Sequence, residues 1–351
     1  MGKHDHWHPV ALSRQLKGKP LQVQLHGQAL CLFRMQDGKI GAVSDKCLHR
    51  GMSLSCGTVR EDRVQCPYHG WCYSAEGIGE SPASPRLQVQ TEAFETRENL
   101  DAIWVRPVSV EAAFPSFSTE GFRFVQSFRH RVQRALPLVL DNFSEVEHTP
   151  TTHILFGYAL EGMSEVTTEL ELGSEFVTVT NRGLQRPLPG WLEVLMGISR
   201  KDVFVDKWTT RFSPVHSVFD HWWENVTEGQ RETTALRIGV FFTPVTEECT
   251  DVFTFLYARP DAGWRGFLFP VMQPIFRWLV DREIRSDQKL IEQLTPSSTE
   301  MAGMKLSRFD KALAENRKRI SSIYEDGKSD GVLNAERKKS VPKPMETSAQ
   351  D

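Results

Sequence analysis

The sequence has no run of apolar residues long enough to cross a bilayer. Its longest, from Gly266 to Val280, is broken by Pro270, Pro274 and Arg277, whereas a span needs roughly 20 apolar residues in a row. That run reads as a buried or amphipathic helix pair. The N-terminus, MGKHDHWHPVALS, lacks a charged region followed by an apolar core and a small-residue cleavage site. No signal peptide is therefore expected, and the chain is placed in the cytoplasm. An excess of one charge is also missing: the formal net charge is −3 over 351 residues, which gives no footprint for nucleic acid. No G-x-G-x-x-G loop follows a strand pattern, so no nicotinamide site of its own is expected. Disulfides are not expected either. The six cysteines (Cys31, Cys47, Cys56, Cys66, Cys72 and Cys249) sit in a long chain without a secretory signal, where ligands or free thiols are the usual use. The last 26 residues, 326–351, hold no aromatic residue and many charges, and are predicted to be a disordered tail.

The rest is ordinary for a soluble globular protein: 40% apolar and 25% charged residues, with a length that suits about two domains. Residues 5–108 carry frequent turn signals and short strand patterns at Leu21–Leu25, Ala29–Arg34 and Ile103–Val105, with the turn Asp37-Gly38, and no helix of convincing period. Residues 109–125 form a join. A second domain, 109–325, holds a helical pattern at 138–149 and strand-like runs at 165–171, 175–181, 203–212, 216–223, 234–243 and 251–258. They are rich in Val, Thr, Phe and Trp, as for one antiparallel sheet. Two long helical patterns, 276–294 and 307–324, close it. The class is α+β.

Two short motifs carry chemistry. The first is Cys47-Leu-His49-Arg-Gly51, then after a gap Cys66-Pro-Tyr-His69-Gly70-Trp71; sixteen residues separate His49 from Cys66. Thiolates select iron–sulfur centres or zinc. One cysteine and one histidine in each loop fit a [2Fe–2S] centre in which two histidines replace two cysteines on one iron. Zinc fingers usually group cysteines with cysteines and histidines with histidines, so zinc is the lesser alternative. Gly51 and Gly70 let the backbone turn tightly beside the ligands.

These residues resemble the Rieske motif of the aromatic-ring-hydroxylating and demethylase-type Rieske oxygenases. The motif is specific for the cluster and less so for the enzyme. The second motif discriminates. Asp141-Asn142-Phe143-Ser144-Glu145-Val146-Glu147-His148-Thr149-Pro150-Thr151-Thr152-His153 resembles the family's mononuclear iron segment. Iron oxygenases need two histidines and one carboxylate on one face of the metal, and His148 and His153 fit as the imidazoles. Five residues apart, they would diverge on a regular helix, so Pro150 is predicted to kink the helix near Thr149–Pro150 and bring them together. The resemblance implies a late carboxylate, Asp287 in Arg285-Ser-Asp287-Gln-Lys-Leu-Ile-Glu292, with Asp281, Glu283 and Glu292 as competitors. His130, His216 and His221 are read mainly as packed or surface histidines, with His221 able to line a pocket.

Where the family usually has aspartate three residues before the first histidine, this chain has Glu145. The resemblance implies that Glu145 bridges the iron site and His69 of a neighbouring subunit's cluster. It also implies a helix-grip-like second domain and a homotrimer. The implied enzyme is a terminal oxygenase that uses O₂ and electrons from a separate NAD(P)H-dependent reductase or ferredoxin. Hydroxylation or oxidative demethylation of an apolar or aromatic small molecule is expected, monooxygenation ahead of dioxygenation, with N-oxygenation or desaturation as alternatives. Phe204, Trp208, Phe212, Phe219, Trp222, Trp223, Phe241 and Phe242 suit such a substrate, but most are assigned to core packing. A pure electron-transfer protein is the rival of another class; it would not need the His148, His153 and Asp287 set.

Overall fold

The computed structural model describes residues 5–199, 201–225, 231–259, 267, 269–295, 301 and 303–325. The tail predicted at 326–351 lies outside the described residues.

The N-terminal part is built from β1 (His8–Leu12), β2 (Leu21–Leu25), β3 (Gln28–Arg34), β4 (Ile40–Ser44), β5 (Thr58–Arg60), β6 (Arg63–Gln65), β7 (Cys72–Tyr73), β8 (Ile78–Ser81), β9 (Ser84–Gln90), β10 (Ala93–Asn99) and β11 (Ala102–Pro107). One sheet runs β1-β11-β10-β4-β3-β2. Inserted between β4 and β10 in sequence is a second sheet, β5-β6-β7-β8-β9. Alternation puts Leu30 and Leu32 in one core with Val10 and Val105. The other face of the same strand gives Cys31 and Phe33 to a core shared with Cys47, Cys66 and Trp71. Period-2 side-chain alternation thus lets β3 serve two cores at once.

The C-terminal part is one antiparallel sheet of seven strands. They are β12 (Arg123–Val132), β13 (Thr167–Leu172), β14 (Phe176–Leu184), β15 (Val203–Phe212), β16 (Val215–Glu224), β17 (Arg231–Thr246) and β18 (Cys249–Arg259), in the order β12-β18-β17-β16-β15-β14-β13. Helices α1 (Leu136–Asn142), α2 (Thr149–Thr152), α3 (Gly190–Met196), α4 (Phe269–Ile291) and α5 (Leu313–Ile320) accompany it. In α4 the buried positions Phe269, Met272, Phe276, Val280, Ile284, Asp287 and Ile291 recur every three or four residues and face the sheet. The architecture is α+β, as the sequence predicts.

Every strand predicted in this sheet is present, but β12 is an addition. Its sequence RFVQSFRHRV is dense in cations, which suits an edge strand and conceals it. The helix predicted at 138–149 ends early, at Asn142. Ser144 Oγ donates back to Leu140 O at 2.7 Å, and the Glu145 carboxylate accepts from the backbone N–H of Glu147 and His148. Such local side-chain bonds compete with helix continuation. Pro150 therefore kinks nothing. It sits in the first turn of α2, where its missing N–H would have had no partner anyway. The helix predicted from 276 starts by Phe269 and keeps Pro274 inside it. The pattern at 307–324 becomes a 3₁₀ turn, α5 and a π turn at Ser321–Glu325.

The two parts share an apolar seam. Trp7, Leu12 and Trp104 pack on Phe241, Phe253, Phe255 and Tyr257, which lie on the face of the large sheet turned away from α4. The join contributes Phe114, Phe117 and Phe122. Phe117 lies over Gly239, where an added Cβ would stand 2.7 Å from the ring. The hairpin turn between β2 and β3 is tied across as well: His26 N donates to Pro244 O at 2.9 Å and Gly27 N to Val245 O at 2.6 Å.

Candidate active site

The two cysteine–histidine loops repeat one hydrogen-bond pattern. Cys47 N donates to Met52 O and Gly51 N to Cys47 O, both at 2.8 Å. Cys66 N donates to Trp71 O at 2.7 Å and Gly70 N to Cys66 O at 3.1 Å. Gly51 and Gly70 have φ of 76° and 74°, a region in which other residues are strained. The loops face each other with both cysteines buried and both histidines exposed. The rings of His49 and His69 are 4.4 Å apart, and His49 stacks on Trp71 at 5.2 Å. Tyr73 Oη accepts from Leu48 N at 2.8 Å and lies 3.4 Å from Cys47 Sγ. Since its oxygen already receives one hydrogen, its own O–H is free to point at the sulfur. Burial pushes the Cys66 thiol above its usual pKa, so its thiolate calls for a cation.

The second set comes from two elements, α2 and α4. His148 and His153 cap the two ends of α2, and one helical turn swings both rings toward α4. His153 Nε2 is 2.9 Å and His148 Nε2 3.3 Å from the same Asp287 oxygen. Among the described residues, His148, His153 and Asp287 are the one His/Cys/Asp/Glu group whose ligand atoms all lie within 4.8 Å of one another. The two cysteine–histidine loops form no such group among the described residues. His148 Nδ1 is taken by the Glu145 carboxylate, while its buried Nε2 has no aligned hydrogen-bond partner. An orphaned imidazole nitrogen beside a buried carboxylate and a second imidazole fits a two-histidine, one-carboxylate iron site. Without a metal, burial disfavours the His148 imidazolium, but the facing carboxylates of Asp287 and Glu145 outweigh it and lift the pKa to about 10. Asp287 is buried, which opposes its charge; the facing histidines reverse that and hold it below the usual carboxylate range.

Other groups position this set. Arg186 donates to His153 O at 2.6 Å and to Pro150 O at 2.7 Å. Arg317 pairs with Asp141 at the end of α1, and Asn316 donates to Ser144 Oγ at 3.0 Å. Of the competing acids, Asp281 is engaged by His130 and Arg285. Glu292 accepts from Gln133 N. Glu283 approaches His153 Nδ1 at 3.7 Å. His216 is a packed histidine, stacked on Phe241 at 4.5 Å.

The set opens on a cavity of about 140 Å³ between α4 and the sheet. Phe204, Trp208 and Phe219 line it, and His221 does too. Phe212, Trp223 and Phe242 belong to the core, and Phe241 faces the seam. Asp206, which belongs to neither motif, also lines the cavity. The signal was there: Phe204, Asp206 and Trp208 alternate on β15, so the acid shares the inward face of two aromatic residues.

The profile of the Rieske [2Fe-2S] domain matches residues 6–91. That of the vanillate O-demethylase oxygenase C-terminal domain matches residues 134–326, more than half of the chain. The chain belongs to the Rieske oxygenase family. Chlorophyllide a oxygenase, chloroplastic, of Arabidopsis thaliana is 35% identical over 152 residues, 42% of this chain and 28% of that protein. Methylxanthine N1-demethylase NdmA of Pseudomonas putida is 36% identical over 111 residues, 28% of this chain and 31% of that one. The matches therefore span less than a third of either relative. Among solved structures, dicamba monooxygenase bound to 3,6-dichlorosalicylic acid superposes with a TM-score of 0.75 at 21% identity, covering 91% of this chain and 96% of that one. NdmA with caffeine superposes with a TM-score of 0.66 at 20% identity, covering 90% and 89%. At these identities the likeness shows the fold. The cofactors of this Rieske oxygenase family are a [2Fe–2S] cluster and a mononuclear iron. Among the described residues no helix is long and apolar enough to cross a membrane.

Proposed function

We propose that this chain is a terminal oxygenase that inserts oxygen from O₂ into an apolar or aromatic small molecule, with hydroxylation or oxidative demethylation ahead of dioxygenation. The observation that carries the proposal is the convergence of His148, His153 and Asp287 on one point at the wall of a largely apolar cavity. A carrier of electrons alone would have no use for it. The match of the C-terminal part to an O-demethylase oxygenase domain supports the demethylating form.

In this reading residues 5–108 form the cluster domain, with Cys47, His49, Cys66 and His69 as ligands, and residues 109–325 the catalytic domain, with His148, His153 and Asp287 holding iron. When bound, the metals supply one-electron transfer and O₂ activation. The chain's own residues orient and exclude. Glu145 holds the His148 ring by its Nδ1, which leaves Nε2 for the metal. The aromatic wall excludes water and positions substrate. A separate NAD(P)H-dependent reductase or ferredoxin delivers electrons, and a homotrimer brings His69 of a neighbouring subunit to Glu145. Metal and sulfide analysis of anaerobically purified protein tests the assignment, together with O₂ uptake and product in the presence of a surrogate reductase. Two cluster irons, two sulfides and one further iron per chain are expected, with coupled turnover lost in His148→Ala, His153→Ala and Asp287→Ala while the visible cluster spectrum persists. Stoichiometric zinc without sulfide, or normal turnover in the Asp287 variant, would overturn it.

A further inference from the structure

The cavity is apolar but carries a marked polar feature on its sheet wall. Asp206 on β15 and His221 on β16 are direct cross-strand partners. His221 Nε2 stands 3.0 Å from Asp206 Oδ1, yet off the hydrogen-bond line, since that buried oxygen has no aligned donor. Asp206 is 8% exposed. A carboxylate oxygen left without a donor inside a protein is costly unless a bound group supplies one. Two neighbouring wall atoms share the condition: Trp208 Nε1 and Thr254 Oγ1 are also buried without hydrogen-bond partners, and both residues line the cavity.

The sign of the lining charge decides what would fit. Among the described residues Glu145, Asp206, Glu283 and Asp287 line the cavity, and neither lysine nor arginine does. Three of these carboxylates, Glu145, Glu283 and Asp287, face the histidines of the metal set. Asp206 lies on the sheet, away from the helices that carry that set, and its charge is available to substrate. An anionic substrate would be repelled by it, with no lysine or arginine among the described lining residues to pair its charge. An apolar molecule with an N–H donor would satisfy it and gain a charge-assisted bond.

We infer that the cavity selects substrates carrying an N–H donor, an amine above all, held by the Asp206 carboxylate beside His221, and that it rejects carboxylates. This rests on the oxygenase reading for what happens to the substrate, but not for its binding. It sets the chain apart from relatives whose names specify benzoates.

The test is calorimetric binding to the anaerobic holoenzyme of three probes matched in shape: para-methoxybenzylamine, para-methylanisole and para-methoxybenzoate. Expected is an amine affinity at least about tenfold above that of the neutral probe, as for a hydrogen bond to a charged group, with the benzoate weakest. Asp206→Asn should reduce the amine preference and Asp206→Leu abolish it, with para-methylanisole still bound and the cluster spectrum intact in both. Equal affinities, a preference for the benzoate, no amine binding at millimolar concentration, or an undiminished amine preference in Asp206→Leu would overturn the inference. Iron and sulfide are measured on the same samples. Amine preference in protein without iron would sink the oxygenase reading alone, and loaded protein without amine preference would sink this inference alone.

Discussion

The guanidinium of Arg186 clamps the main chain at His153. Its two hydrogen bonds, to His153 O and Pro150 O, hold the single turn of α2 that carries both histidines of the metal set. Hydrogen bonds from a charged donor contribute about 1.5–3 kcal/mol each. Arg186→Met should therefore loosen the turn, lower iron retention on dialysis by about tenfold or more, and leave the cluster absorbance unchanged. Iron analysis before and after dialysis reads this directly, and full retention would show that α2 holds without the clamp.

Glu145→Gln should keep both metals and the assembly while slowing the passage of electrons from cluster to iron. The carboxylate accepts from His148 Nδ1 on Oε1 and from the backbone N–H of Glu147 and His148 on Oε2, which leaves one lone pair of Oε1 for a second imidazole. Stopped-flow recovery of the cluster absorbance with substrate and O₂ measures the rate. Mixed assemblies of Cys66→Ala and His148→Ala chains give an independent check: partial activity is expected if electrons cross between chains, and none if each chain serves itself.

Tyr73→Phe removes the O–H that faces Cys47 Sγ. Loss of a hydrogen bond to a cluster sulfur destabilises the reduced, more negative state. A bond of about 1 kcal/mol corresponds to roughly 40 mV for a one-electron couple, so the midpoint potential should fall by that order. A redox titration showing no change would mean the hydroxyl points elsewhere.

His216 gives the chain an acid-sensitive element. Burial lowers its pKa from 6.5 to about 4, against a modest opposing bond to Pro214 O. The unfolded chain binds this proton at higher pH than the folded one, so the stability it contributes is complete above pH 6.5. It is lost as pH falls toward 4. The loss by pH 5 is about 2 kcal/mol. Chemical denaturation of His216→Phe at pH 7 and pH 5 should lack that part of the decline, while an identical decline in both proteins would assign it to other groups.

Much of the site was legible because ligand chemistry restricts residue type. Cysteine and histidine in two short loops leave few alternatives, and the sheet followed from alternation of Val, Thr and aromatic residues. Asp287 was legible only through resemblance, since an acid on a helical pattern looks the same whether it faces solvent or a histidine. The break after Asn142 was hidden because it arises from side-chain bonds of Ser144 and Glu145 to the backbone, which no periodicity reports. β12 was hidden by its own cations, and Asp206 was overlooked although its alternation with Phe204 and Trp208 exposed it.

The aromatic seam has a kinetic consequence. With Phe114, Phe117 and Phe122 of the join built into it beside Trp104 and Phe255, no slack tether connects the two halves. A cluster mounted this way cannot travel like the head of a swinging arm. Its distance to any acceptor is set by construction, so electron hops should follow the driving force of the step and be indifferent to solvent viscosity.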